Sequence, residues 1–265
     1  MIYWIFLLPA AIVLIALFQR YISFKQPLPV LMYHSVSENG TEDDLTVQSL
    51  MLERQFHYLK RKEFTPVLLS QLVDFVLYKK PLPAKPVLIT FDDGYRDNYT
   101  ILYPILKQYG ISANIFLVPS LIEETCCKNN AASNQYLKLD DIASMDPSVI
   151  EFGLHSYDHR NLNELSPYEL NDDITQSKSV LKTLNIPFQP CLAFPYGAYP
   201  KKRGKSYEFF ETLSRNKIVL AFRIGNRLNP MPLKNGLLIQ RLNIKGGMSF
   251  KRFTRLVKNG KVLFS

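Results

Sequence analysis

Apolar residues fall into short runs separated by segments with helical spacing. Runs near 29–33, 87–91, 113–118, 150–154, 190–194, 218–222 and 238–243 are five or six residues long and rich in Val, Ile, Leu and Phe. Continuous apolar runs of that length fit strands covered on both faces, as in a parallel sheet. Between them lie amphipathic stretches: Leu52, Phe56 and Leu59; Ile101, Ile105 and Tyr109 leading to Gly110; Leu170, Ile174 and Leu181; and Phe250, Phe253 and Val257. Ser166-Pro167-Tyr168-Glu169 combines a capping box with proline at the first helical position, Ser249 can cap the last helix, and Gly110 suits a helix stop. Seven strands alternating with helices predict an α/β domain, a (β/α) barrel with about seven parallel strands. Residues 120–146 form a polar connection expected to lie over one end of that barrel.

The first segment breaks the pattern. Ile2 to Phe18 is an uncharged run of 17 residues with Tyr3 and Trp4 at one edge, which is the lower limit for a membrane-spanning helix. "LFQRYISF" offers no small-residue cleavage site, so the run reads as an uncleaved anchor. The expected organisation is an anchor helix and flank over 1–25 and a catalytic domain over 26–265. Arg20 and Lys25 follow the run and no basic residue precedes it, a bias toward a cytoplasmic domain.

Composition narrows the rest. With 32 Lys and Arg against 23 Asp and Glu, the formal charge is +9, which favours contact with anionic surfaces. The basic residues are scattered in sequence and accompany no nucleic-acid motif, so nucleic acid is not an expected partner. Cys126, Cys127 and Cys191 form neither a disulfide framework nor a metal spacing.

Chemistry collects at three strand ends. In "VLITFDDGY" an apolar strand stops at Asp92-Asp93-Gly94, and two carboxylates there are costly without a partner such as a metal or substrate. The pairs Asp43-Asp44, Asp140-Asp141 and Asp172-Asp173 read as solvated loop or helix-start charges. "VIEFGL" runs into His155-Ser156-Tyr157-Asp158-His159, where two imidazoles four apart can meet one ion, or equally be ordinary surface histidines. Ser156 replaces the glutamate of the HExxH pattern, so a base must come from elsewhere. "LAFPYG" ends in a turn able to offer a backbone N–H to a developing oxyanion, although a plain turn is the default.

Taken in order, TFDDG at 90–94, HSYDH at 155–159 and FPYG at 194–197 resemble the polysaccharide deacetylases of carbohydrate esterase family 4, from about residue 28 onward. The opening "VLMYHSV" looks most like the branch that acts on poly-N-acetylglucosamine. The resemblance implies a deformed (β/α) barrel and a divalent metal, most often Zn2+, held by Asp93, His155 and His159. It makes Asp92 the base and gives the Tyr196 N–H to the oxyanion; Pro195, Tyr196 and Arg241 are the residues expected against the substrate. The activity implied is removal of N-acetyl groups from N-acetylhexosamine residues of a glycan. The alternatives are an O-acetyl esterase on an acetylated glycan and a non-catalytic, membrane-anchored glycan-binding protein. The resemblance also favours an extracytoplasmic domain, which is the expectation adopted.

Three features depart from the family. Its acid histidine near the C-terminus is absent, since His34, His57, His155 and His159 are the only histidines. A closed barrel would bring His34, ending the first strand, beside the last strand, so His34 is the candidate acid; His57 reads as a surface residue and Tyr33 as core or pocket wall. The arginine that orients the aspartate is replaced by Ala193, and Arg241 is the candidate substitute. The fourth-motif tryptophan is missing, with Leu242 or Phe222 as candidate pocket residues.

Overall fold

The computed structural model describes residues 26–39, 43–122 and 135–260. The apolar run Ile2–Phe18 lies outside them, as do Cys126 and Cys127; among the described residues no helix is long and apolar enough to cross a membrane. The strands are β1 (Val30–Tyr33), β2 (Ser35–Ser37), β3 (Thr46–Gln48), β4 (Thr65–Val67), β5 (Pro86–Phe91), β6 (Ala113–Leu117), β7 (Ile150–Leu154), β8 (Cys191–Ala193), β9 (Leu220–Ile224) and β10 (Ile239–Asn243). The helices are α1 (Ser49–Arg61), α2 (Leu69–Tyr78), α3 (Tyr103–Tyr109), α4 (Leu139–Ala143), α5 (Pro167–Thr183), α6 (Arg203–Arg215) and α7 (Phe250–Asn259).

All seven apolar runs are strands, and they close a ring in the order β1-β10-β9-β8-β7-β6-β5 and back to β1. Every pairing in the ring is parallel, with Leu31 opposite both Leu242 of β10 and Ile89 of β5. β4 is an addition. It pairs with the first half of β5 (Val67 opposite Leu88), while β6 takes the second half (Thr90 opposite Asn114). The buried Asn114 side chain bridges the junction, accepting from Leu69 N at 2.8 Å and donating to Ile89 O at 3.1 Å and Val67 O at 3.3 Å. Those bonds satisfy buried backbone groups at the point where β4 and β6 share β5.

Strand residues alternate between two layers, as the period of two demands. One set, with Leu31, Tyr33, Ile89, Phe91, Ile115 and Leu154 among it, packs outward under the helices. The other, with Val30, Leu88, Phe116, Cys191, Leu220 and Phe222, fills the barrel together with Leu69, Leu72 and Phe75 of α2, which plugs the end where the strands begin. Gly153 is required inside, because a Cβ there would sit 2.6 Å from the Phe116 ring. Phe222 and Leu242, the candidate pocket residues, are both fully buried: Phe222 lies in the barrel 5.2 Å from Phe116, and Leu242 in the outer layer.

The helix signals hold. The Ser166 hydroxyl accepts from Glu169 N, and the Glu169 carboxylate accepts from Ser166 N at 2.8 Å. The Ser249 hydroxyl accepts from Arg252 N at 3.3 Å, and Gly110 takes φ 60° at the stop. β2, β3 and β4 have no counterpart in the apolar pattern, being three residues long and partly polar; β2 and β3 pair with each other beside the mouth of the barrel. Residues 123–134 of the polar connection lie outside the described residues, and its remainder crosses the strand end of β5 through the Tyr95–Tyr136 bridge.

Candidate active site

The site begins where β5 ends. Asp92 continues the inward parity of Leu88 and Thr90, and its N–H donates to Tyr33 O at 2.9 Å. Arg241 of β10 points inward too, only 1% exposed, and its guanidinium lies 5.6 Å from the Phe116 ring centroid. It grips Asp92 with both ends, Nη1 to Oδ1 at 2.6 Å and Nη2 to Oδ2 at 2.8 Å. A two-pronged pair is the strongest form of this contact. Burial pushes the Asp92 carboxyl up, but Arg241, His155 and His34 together pull it down to about 2. Arg241 thus takes the place expected for a substitute of the missing orienting arginine; its other expected place, against the substrate, is not where its guanidinium lies, since both ends are on Asp92 below the mouth.

Asp93 turns away from the barrel through two left-handed residues, itself at φ 71° and Gly94 at φ 71°. Asp93 Oδ1 lies 3.4 Å from His155 Nε2 and 3.3 Å from His159 Nε2. The HSYDH stretch is a tight loop with Ser156 at φ 65° and His159 at φ 52°, both outside the comfortable region for residues with a side chain. Asp173 of α5 holds it in place. Its carboxylate accepts from the Ser156 hydroxyl at 2.7 Å and from Tyr157 N at 3.2 Å, while Ser156 Oγ accepts from Arg160 N at 3.0 Å.

Protonation follows from the partners. His155 Nδ1 lies 2.9 Å from Ala193 O, and a carbonyl can only accept, so Nδ1 carries the proton and Nε2 presents a lone pair. Burial holds the ring's pKa low, favouring the neutral form. His159 Nδ1 lies 3.2 Å from the Tyr196 hydroxyl. A lone pair facing a carboxylate oxygen is repulsive unless a cation lies between them. One oxygen of Asp93 and one nitrogen from each histidine fall within 4.8 Å of one another. A tetrahedral ion bound at about 2.0–2.2 Å holds its ligands about 3.3–3.6 Å apart. The buried Asp93 Oδ1, which makes no hydrogen bond, and this N, N, O donor set therefore fit a divalent metal.

His34 sits across Asp92 from this cluster, its Nε2 4.0 Å from Asp92 Oδ2, with 14% of its side chain exposed. β1 lies between β5 and β10, so the end of the first strand does meet the end of the last. Asn98 Nδ2 donates to His34 O at 3.0 Å, and Asp97 accepts from Ser35 Oγ at 2.5 Å and Val36 N at 3.0 Å, fixing the backbone that carries the imidazole. His57 is exposed on α1; Tyr33 is core, stacked 5.0 Å from Phe91.

At the β8 end Pro195 is buried, and Tyr196 takes φ 59°, which swings its ring out to 67% exposure, 4.8 Å from His159. The Tyr196 N–H donates to no acceptor among the described residues. Asp140 and Asp141 lie in the first turn of α4, the helix-start position read for them, and Asp140 and Asp172 are exposed, but one member of each pair is not solvated. Asp173 and Asp141 are buried, the first holding the histidine loop and the second accepting from Arg96 Nε at 3.2 Å. The signal for Asp173 was legible: it lies three residues after Leu170 and four before Ser177, on the buried stripe of α5.

Residues 79–211 match the family model described as polysaccharide deacetylase. YxkH of Bacillus subtilis (strain 168) is 29% identical over 181 residues, covering 68% of this chain and 61% of that protein. The poly-beta-1,6-N-acetyl-D-glucosamine N-deacetylase of Staphylococcus aureus (strain MRSA252) is 28% identical over 182 residues, covering 62% of this chain and 60% of that protein. The chain thus aligns with about three fifths of the length of each of these relatives. In fold it is similar to Streptococcus pyogenes deacetylase PplD, solved in complex with acetate (TM-score 0.74, 23% identity, 88% of this chain and 99% of that one). IcaB from Ammonifex degensii superposes with TM-score 0.70 at 20% identity, over 88% of this chain and 96% of that one. The family match spans all three motif strands, from before Asp92 past Tyr196, and covers half of the sequence: the chain belongs to the polysaccharide deacetylase family.

Proposed function

We propose that this protein is a metal-dependent N-deacetylase that removes acetyl groups from N-acetylhexosamine residues of a glycan, with a poly-N-acetylglucosamine as the favoured substrate class. The observation that carries the reading is the juxtaposition of an arginine-gripped carboxylate, Asp92, with the Asp93, His155 and His159 donor set at one barrel mouth. The relatives named for action on poly-beta-1,6-N-acetyl-D-glucosamine support the substrate class.

Asp93, His155 and His159 would hold the metal, Zn2+ being the best match to two imidazoles and a carboxylate. When bound, it supplies Lewis-acid polarisation of the acetamide carbonyl and acidifies water. Asp92 is ionised, and Arg241 fixes the direction of its remaining lone pairs, so it accepts the proton of the attacking water. The Tyr196 N–H donates to the carbonyl oxygen as negative charge builds there. Cleavage of the C–N bond releases acetate, and the departing nitrogen needs a proton. His34, on the far side of Asp92, donates it. The exposed Tyr196 ring offers a flat face to the sugar.

The apolar run 2–18 would anchor the domain to a membrane, with the domain on the extracytoplasmic side where such glycans lie. The test is acetate release by the metal-loaded protein from β-1,6- and β-1,4-linked N-acetylglucosamine oligomers, alongside acetylated xylan. Acetate from the amide substrates is expected; release from the ester alone would replace this reading with an O-deacetylase, and release from neither would leave the non-catalytic glycan binder.

A further inference from the structure

Basic residues that are scattered in sequence converge on one side of the barrel. α1 and α7 lie side by side, with the Tyr58 ring edge-on to Phe250 at 5.9 Å and Phe253 at 6.0 Å, and with Arg54 4.1 Å from the Phe250 ring. Lys251, Arg255 and Lys258 fall at i, i+4 and i+7 on α7, one exposed stripe. Arg54 and Arg61 hold the matching stripe on α1, which also carries Leu50 at 67% exposure. A shallow groove of about 440 Å³ between the helices is lined by Arg61, Arg255 and Lys258 and by no carboxylate. Among the described residues none of these cations is ion-paired. The nearby carboxylates are engaged elsewhere, Glu53 by the Tyr109 hydroxyl at 2.9 Å and Glu63 by Lys85 at 2.8 Å. An unneutralised stripe of this kind is costly by self-repulsion unless an anionic surface meets it.

The choice of surface rests on the membrane anchor proposed above for residues 2–18. Leu28 pairs with Asn229, and α7 ends at Gly260, whose Cα is so close to Arg227 and Leu228 that an added Cβ would sit 3.1 Å from Leu228 N. The segment that follows the uncharged run Ile2–Phe18, with Arg20 and Lys25 in between, therefore enters the domain at the corner where the basic helix stops.

We propose that the α1–α7 face rests on the anionic phospholipid headgroups of the bilayer, with Leu50 dipping among them. Each Lys or Arg near such a surface strengthens association by about fivefold, and the attraction is screened by salt. Because both helices run back along the strands, this contact lays the barrel axis along the membrane. The mouth with Asp92 and Asp93 then opens sideways, over glycan lying on the surface. The charge argument is independent of the reaction the site performs.

The test uses the full chain in lipid nanodiscs made of phosphatidylcholine alone or with about one third phosphatidylglycerol. Lysines are acetylated with a neutral N-hydroxysuccinimide ester and read by mass spectrometry, with the exposed Lys201 and Lys202 as internal references. With phosphatidylglycerol, labelling of Lys251 and Lys258 should fall about fivefold relative to the references, and molar salt should restore it. Arg61→Gln with Arg255→Gln should restore it as well, and the wild-type comparison between disc types stands even if that variant folds poorly. Equal ratios in the two discs, or protection that survives the double substitution in folded protein, would overturn the proposal. So would protection by soluble poly(glycerol phosphate) without protection by the anionic disc.

Discussion

Arg241 and Asp92 lie 149 residues apart in sequence and form a buried, two-pronged ion pair at the top of the barrel, at 2.6 and 2.8 Å. The pair ties the last strand to the strand that ends in the catalytic candidate across β1, which lies between them, so one contact both braces the barrel and fixes the Asp92 carboxylate. Breaking it leaves a carboxylate buried without its charge partner. Arg241→Ala should destabilise the fold by about 3–5 kcal/mol, and Arg241→Lys, which keeps the charge and loses the fork, should cost turnover more than stability. Denaturation midpoints and acetate release measured together separate these; unchanged turnover in Arg241→Lys would show that the fork does not orient Asp92.

Metal retention tests the donor set. Asp93→Asn and His155→Ala each remove one of three donors, and elemental analysis should find the protein largely stripped. Asp92→Asn should keep the ion and abolish turnover, because Asp92 is held by Arg241 rather than by the donor cluster. Full metal content in His155→Ala would reject the assignment.

For His34 the expectation is a kinetic one. His34→Ala removes the group 4.0 Å from Asp92 Oδ2 while sparing every metal donor, so turnover should fall by about 10²–10⁴-fold with metal content unchanged. A fall smaller than about 10-fold would assign the leaving-group proton to another donor.

Asp173 lies outside the donor set of Asp93, His155 and His159 and holds the histidine loop through Ser156 Oγ and Tyr157 N. Asp173→Ala frees Ser156 and Tyr157 from their acceptor, and the left-handed backbone at Ser156 loses its support. Metal affinity should weaken by about 10–100-fold, as for other partners that orient ligands. Titration with a competing chelator reads it, and Asp173→Asn, which keeps one acceptor oxygen, should recover part of the loss. Wild-type affinity in Asp173→Ala would mean the loop is held by other contacts.

The ring and the reactive cluster were readable in the chain because their causes are local. A strand covered on both faces must be apolar along its length, so the seven runs marked all seven strands of the barrel. A carboxylate pair or a histidine pair at the end of such a run stands out against it, which is how Asp92, Asp93, His155 and His159 were found. β2, β3 and β4 escaped because three residues are too few to show a period, and their pairing is stabilised from outside, as by Asn114 at the β4–β6 junction.

Only the folded chain decided which distant groups meet. Ring closure brought both His34 and Arg241 to Asp92, since β1 is flanked by β5 and β10. Packing of α5 turned Asp173 from a helix charge into the support of a strained loop, and packing of α1 on α7 gathered scattered cations into a face. Sequence carries side-chain type and local period; charge pairing and exposure are set by long-range proximity, which the linear order of residues does not encode.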